Sequence, residues 1–115
     1  MSQHDDAVYL RHMLDHAQEA LRIAAGKDRA SLDTEPMLRY SLLHLVTVLG
    51  EAANRLSAPS RTKYQIPWRD IIAMRNRLIH GYDTVDRDLL WKTVETDLPA
   101  LIETLRPIVG PEEAR

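Results

Sequence analysis

Across residues 5–25 apolar side chains return at Val8, Leu14, Ala17, Leu21 and Ala24, the spacing of one helix face, with Asp5 and Asp6 where acids favour a helix N-terminus. Gly26 ends that helix, and residues 27–33 read as a loop. Thr34 offers an N-cap hydroxyl and Pro36 suits the first turn of a second helix. The seam of this second helix, Leu38, Leu42, Leu45, Leu49, Ala52 and Leu56, alternates steps of four and three and is the clearest amphipathic pattern in the chain. Residues 57–66, with Pro59 and Ser60, read as the longest connection before Pro67 opens a third helix. That helix carries Ile71, Ile72, Leu78 and Ile79, and Gly81 is its natural terminator. After a turn at 82–84 a fourth helix runs to about Arg106 along Val85, Leu89, Val94, Leu98, Leu101 and Leu105, bent at Pro99, and residues 107–115 are expected to fray. With no alternating strand pattern and no internal repeat, the prediction is all-α: an up-and-down antiparallel bundle of four to five helices with a short third helix, residues 1–115 forming a single domain.

Composition narrows the chemistry. Hydrophobic residues make up 44% and charged residues 28% of the 115, the balance of a globular protein with a core. There is no cysteine, which removes disulfides, thiolate metal sites and thiol nucleophiles and fits a reducing cytoplasm, the expected location. No apolar run approaches the roughly 20 residues that cross a bilayer, and the first residues lack a basic stretch leading into an apolar one, so neither membrane insertion nor export is expected. The net charge of -2 is unevenly spread: residues 55–77 hold Arg55, Arg61, Lys63, Arg69, Arg75 and Arg77 against Asp70 alone, a net +5, which leaves -7 elsewhere. Such a segment serves either a polyanion site or a solvated surface.

One stretch concentrates chemistry. Arg75, Asn76, Arg77, His80, Gly81 and Tyr82 place guanidinium, amide, imidazole and phenol groups within eight residues. At about 100° per residue Asn76 and His80 share a helix face, whereas His80 lies about 140° round from Arg75. Either Gly81 ends the helix and frees the imidazole to turn toward Arg75, or the two groups meet across a dimer axis. The set suits cleavage of RNA, and not DNA, by the RNA's own 2′-hydroxyl, a reaction that needs proton transfer and stabilisation of charge on phosphorus. Histidine exchanges protons near neutrality, and a planar guanidinium matches phosphate oxygens. No metal or other cofactor is called for.

Here the sequence resembles a known family. The stretch RNRLIHGY (75–82) has the Arg, four residues, His, one residue, Tyr pattern of the HepT-like branch of the HEPN superfamily, and Gly50-Glu51-Ala52, Ile66-Pro67-Trp68, Val85-Asp86 and Leu90-Trp91 extend the likeness over nearly the whole chain. The resemblance implies a HEPN fold and the toxin of a type VII toxin–antitoxin pair, a homodimeric endoribonuclease with a composite site between protomers. It assigns catalysis to Arg75 and His80, with Asn76 orienting His80 or the phosphate. It also implies a minimal nucleotidyltransferase antitoxin that transfers AMP to Tyr82, some relatives being neutralised by binding alone.

Each of these residues also has a plainer use. Arg75 alone suits a surface salt bridge, His80 a helix-end hydrogen bond and Tyr82 packing with a solvent-facing hydroxyl. Arg77, Arg61 and Lys63 either guide RNA or solubilise the surface. His12 and His16 share a face near Asp15 and His4 but fall short of the three or four ligands usual for zinc. His44 is placed as a structural residue, and Glu51 either forms a buried pair or satisfies local polarity. The alternative to the nuclease is a non-catalytic helical module binding a nucleotide or a protein.

Overall fold

The structure, a computed structural model, describes residues 3–79 and 85–110. Two long helices, α1 (Gln3–Ala24) and α3 (Pro36–Asn54), are joined through the short α2 (Ser31–Thr34). After them come α4 (Ala58–Lys63) and α5 (Trp68–Ile79), and then α6 (Arg87–Lys92), which continues through a π turn, Thr93–Asp97, into α7 (Leu98–Val109). Every described element is helical, as the periodicity predicts. α1 packs on α3 and α7, and α3 packs in turn on α5. Asp6 accepts from the Ser57 amide just beyond α3, and Arg11 donates to Gly110 just beyond α7, so the start of α1 meets the ends of both neighbours and the bundle runs up and down. Among the described residues no helix is long and apolar enough to cross a membrane.

A single cluster of buried side chains fills the space between these helices. α1 contributes Leu10, Met13, Leu14, Ala17, Ala20 and Ala24, while Val8, expected in the seam, is 38% exposed. In α3 Val46, outside the predicted seam, is fully buried, while its neighbour Leu45 from that seam is only partly covered. Flanking by both α1 and α5 widens the apolar stripe of α3 beyond a simple seam. Burying a leucine such as Leu42 or Leu49 contributes roughly 1.5–3 kcal/mol relative to leaving it in water.

Three further expectations are corrected. The expected connection 57–66 contains α4, capped by the Ser57 hydroxyl, which accepts from the Ser60 amide, with Pro59 in the first turn. Thr34 is not an N-cap; it closes α2, and Glu35 takes the cap position of α3 without a side-chain hydrogen bond. Finally, of the tail 107–115 expected to fray, the chain stays helical to Val109 and stops where Gly110 adopts φ 80°, while residues 111–115 lie outside the described residues. Where the sequence suggested a bend at Pro99, the structure has a π turn just before it: Pro99 offers no N–H to the carbonyl four residues back, and Leu98 donates to Thr93, five residues back.

Candidate active site

The site begins at a glycine. Gly50 is buried in α3 where α5 crosses it, and the first carbons of the Arg75 side chain occupy the space a side chain at 50 would take: a Cβ there would lie 2.6 Å from Arg75 Cγ and nearer still to its Cβ. The missing side chain lets α5 lay Arg75 across α3, leaving that side chain 21% exposed. From this seat the guanidinium reaches two acceptors. Nη2 donates to Glu51 Oε2, and Nη1 donates to Asn76 Oδ1 at 2.7 Å. Nε is buried and, among the described residues, has no hydrogen-bond partner.

Glu51 faces a second cation. Its Oε1 accepts from Arg55 Nε at 3.3 Å, one helical turn on, so a single carboxylate lies between two guanidinium groups and the three carry a net +1. Arg55 is held above its ordinary pKa by the Tyr9 hydroxyl first and Glu51 second. The sequence left Glu51 open between a buried pair and local polarity; the structure pairs it with Arg75 from 24 positions away. Gly50 was the available signal, because a glycine inside an apolar helix costs stability and marks a close approach.

The remaining candidates divide. His80 and Tyr82 lie outside the described residues, as does the Gly81 terminator. Asn76, placed by helical geometry on the face of His80, gives its side-chain oxygen to Arg75. Arg77 is two-thirds exposed, and its Nη2 meets Asp86 Oδ2 at 3.0 Å, while Asp86 Oδ1 caps α6 by accepting from the Leu89 amide at 2.9 Å. That pair ties together the chain on either side of residues 80–84. Arg61 donates to the Asn54 carbonyl at 2.7 Å, and its own carbonyl accepts from the Trp68 indole. Lys63 sits 5.3 Å from the centre of the Tyr64 ring. Arg61, Lys63 and Arg77 line three different depressions, beside Arg69, Asp6 and Lys92 respectively. His12 and His16 stack with ring centres 6.2 Å apart, and desolvation first, then His12, lowers the pKa of His16. Among the described residues no group of three or more His, Cys, Asp or Glu is disposed to hold a metal ion.

A helical bundle that seats an arginine against a glutamate of the neighbouring helix, five residues before a histidine, matches one family model over residues 13–108, that of the HepT-like ribonucleases. The chain belongs to this family. It is 30% identical over 102 residues to a protein of Methanocaldococcus jannaschii provisionally named as an RNase, covering 88% of this chain and 94% of that one. A provisionally named RNase of Caldanaerobacter subterraneus is 27% identical over 106 residues, covering 91% and 95%. A Thermococcus cleftensis protein provisionally named ribonuclease HepT is 38% identical over 64 residues, covering 55% and 58%. No solved structure gives a significant match.

Proposed function

We propose that this chain is the toxin of a toxin–antitoxin pair, an endoribonuclease that cleaves RNA by attack of the 2′-hydroxyl without a metal ion. The observation that carries the reading is the seat of Arg75: a guanidinium fixed by Glu51 and Asn76, five residues ahead of His80, in a chain of the HepT-like ribonuclease family. Arg75 stabilises the charge that builds on phosphorus, and a donor already in place does so without reorganising during the reaction. His80 transfers a proton, a contribution typically worth about 10²–10⁴-fold. Two copies form the working unit, with the site between protomers, and Arg61, Lys63 and Arg77 lead the RNA toward it in the cytoplasm. The partner is a nucleotidyltransferase antitoxin. AMP transferred to Tyr82 adds bulk and a phosphodiester charge beside the site and competes with the RNA phosphate.

The test is cleavage of RNA in EDTA. The expected products carry cyclic phosphate or 3′-phosphate ends, and cleavage disappears in His80→Ala and Arg75→Ala. Activity that EDTA abolishes and both variants retain refutes the assignment. Co-expression with the nucleotidyltransferase is expected to add one AMP to the intact mass, lost in Tyr82→Phe; an unmodified Tyr82 with normal neutralisation refutes the modification. A second reading is favoured by the same ion pair, since a guanidinium held by a carboxylate also serves as a brace in a non-catalytic binding module. Tight antitoxin binding with no cleavage of tRNA, mRNA or rRNA supports that reading instead.

A further inference from the structure

Transfer of the phosphoryl group to the 2′-oxygen needs a group that takes a proton and a group that gives one, and the described residues place a carboxylate, that of Glu51, directly against Arg75. We propose that Glu51 is the general base, taking the 2′-hydroxyl proton while His80 acts as the acid; the inference rests on the nuclease reading above. The positions carry it. Among the groups that contact Arg75 in the described residues, Asn76 is an amide that cannot take a proton, and Glu51 is the one that can. Its carboxylate is a little over one-third exposed, open to a ligand, and touches the terminal nitrogen of the guanidinium that meets the phosphate. A phosphodiester docking on Arg75 competes with Glu51 for Nη2, which releases Oε2 beside the incoming ribose. Arg55 keeps hold of Oε1, so the carboxylate stays in place when Oε2 lets go. The tightly packed Gly50 crossing fixes the carboxylate relative to the arginine.

The step balances as follows. Glu51 takes the proton of the 2′-hydroxyl, the 2′-oxygen forms a bond to phosphorus, and the bond from phosphorus to the 5′-oxygen breaks. That oxygen leaves with a proton from the His80 imidazolium, giving a 2′,3′-cyclic phosphate and a 5′-hydroxyl end. Exchange with water then returns a proton to His80 and removes one from Glu51. Arg75 contacts the phosphate oxygens throughout and transfers no proton.

The experiment compares Glu51→Gln, Glu51→Asp, Glu51→Ala and His80→Ala with the unchanged protein on two substrates, an RNA oligonucleotide and an oligonucleotide ending in a 3′-(4-nitrophenyl phosphate) ester. The nitrophenolate departs without protonation, so it replaces the acid and not the base. Glu51→Gln is expected to lower kcat by about 10²–10⁴-fold on both substrates. Its Tm is expected to stay within a few degrees of the parent's, and its affinity for a 2′-deoxy analogue at moderate salt, where the added net charge is screened, within a few-fold. Glu51→Asp regains part of the activity, and His80→Ala recovers on the ester alone. Added carboxylates restore Glu51→Ala, acetate more than the weaker base formate. Glu51→Gln within a few-fold of the parent on both substrates overturns the proposal. So does rescue of Glu51→Ala that is equal for formate and acetate, which marks a positioning residue for Arg75. Full activity of Arg75→Ala and His80→Ala, or no cleavage by the unchanged protein, overturns the nuclease reading itself and this inference with it.

Discussion

Replacing Gly50 with alanine adds one methyl group where α3 and α5 cross, and two opposed effects decide the outcome. In an ordinary helix interior the change stabilises by roughly 0.5–1 kcal/mol, because alanine loses less backbone freedom on folding. Here the new carbon lies 2.6 Å from Arg75 Cγ, and closer to Cβ. Those atoms are at the root of the side chain, so no change of rotamer at its far end clears the space. Restoring an ordinary carbon–carbon separation of about 3.5–4.0 Å moves α5 away from α3 by about 1 Å. Overpacking of this kind costs about 1–3 kcal/mol, which outweighs the helix gain and leaves a net loss of about 1–2 kcal/mol. Thermal unfolding is expected to register it as a Tm lower by roughly 4–10 °C for a chain of this size. On the proposed mechanism activity should fall further than stability, since displacing Arg75 by about 1 Å would cost on the order of 10²-fold in rate. Steady-state cleavage of RNA at a temperature where Gly50→Ala is fully folded measures that loss directly. A variant with a raised Tm and full kcat refutes the argument, because the helices would then have room that this packing denies them.

Two further substitutions probe what holds the site's surroundings. Asp6 is buried and accepts from the Ser57 amide at 3.0 Å and from the Ser57 and Ser60 hydroxyls at 2.5 and 2.6 Å, so Asp6→Asn is expected to cost about 2–3 kcal/mol by chemical denaturation; a change under about 0.5 kcal/mol contradicts it. Burial pushes the Asp6 carboxyl up, but the donated hydrogen bonds outweigh it and hold the group below its ordinary 3.8, so its stabilisation is complete above that value and is lost as pH falls through the lower folded-state value. The gap in stability between wild type and Asp6→Asn should therefore hold steady down to about pH 5 and close below pH 4, and a gap that widens in acid reverses the sign of the argument. Asp86→Ala removes the α6 cap and the partner of Arg77 and is expected to cost about 1 kcal/mol, against at most about 0.5 kcal/mol for the exposed Arg77→Ala; equal losses in a double-mutant cycle would place the energy in the ion pair and not the cap.

The bundle was legible because burial in α3 follows from local spacing: Leu38, Leu42, Leu49 and Ala52 fall on one stripe whatever packs against them. What depends on remote partners was not. Pro59 and Ser60 read as breakers, yet the same residues open α4 once Asp6, 51 positions earlier, takes the Ser57 amide and hydroxyl. Val8 looked apolar and in phase, but the register that faces α3 and α7 starts from Leu10 and Met13. In the site, Arg75 was visible as chemistry and its counter-ion was not, because a contact between helices leaves no spacing rule in the chain. Only the glycine beside Glu51 pointed to it, and a helix glycine says that something comes close without saying what.

The count of basic residues in 55–77 is a poor guide to the site proposed for the phosphate. Arg61 serves a carbonyl at the end of α3, and Arg77 serves Asp86. What sets Arg75 apart is how completely it is placed before any ligand arrives: Gly50 confines its first carbons, Glu51 takes one terminal nitrogen and Asn76 the other. An arginine side chain carries about 2 kcal/mol of rotamer entropy, and here that freedom is lost on folding and not on binding. The neighbouring carboxylate lowers the net charge of the Arg55, Glu51 and Arg75 set to +1, which weakens long-range attraction for RNA but matches the single charge of one phosphodiester. Removing Glu51 should therefore strengthen binding in low salt while slowing the chemical step. A surface built only to attract polyanions would gain from the same change in both respects.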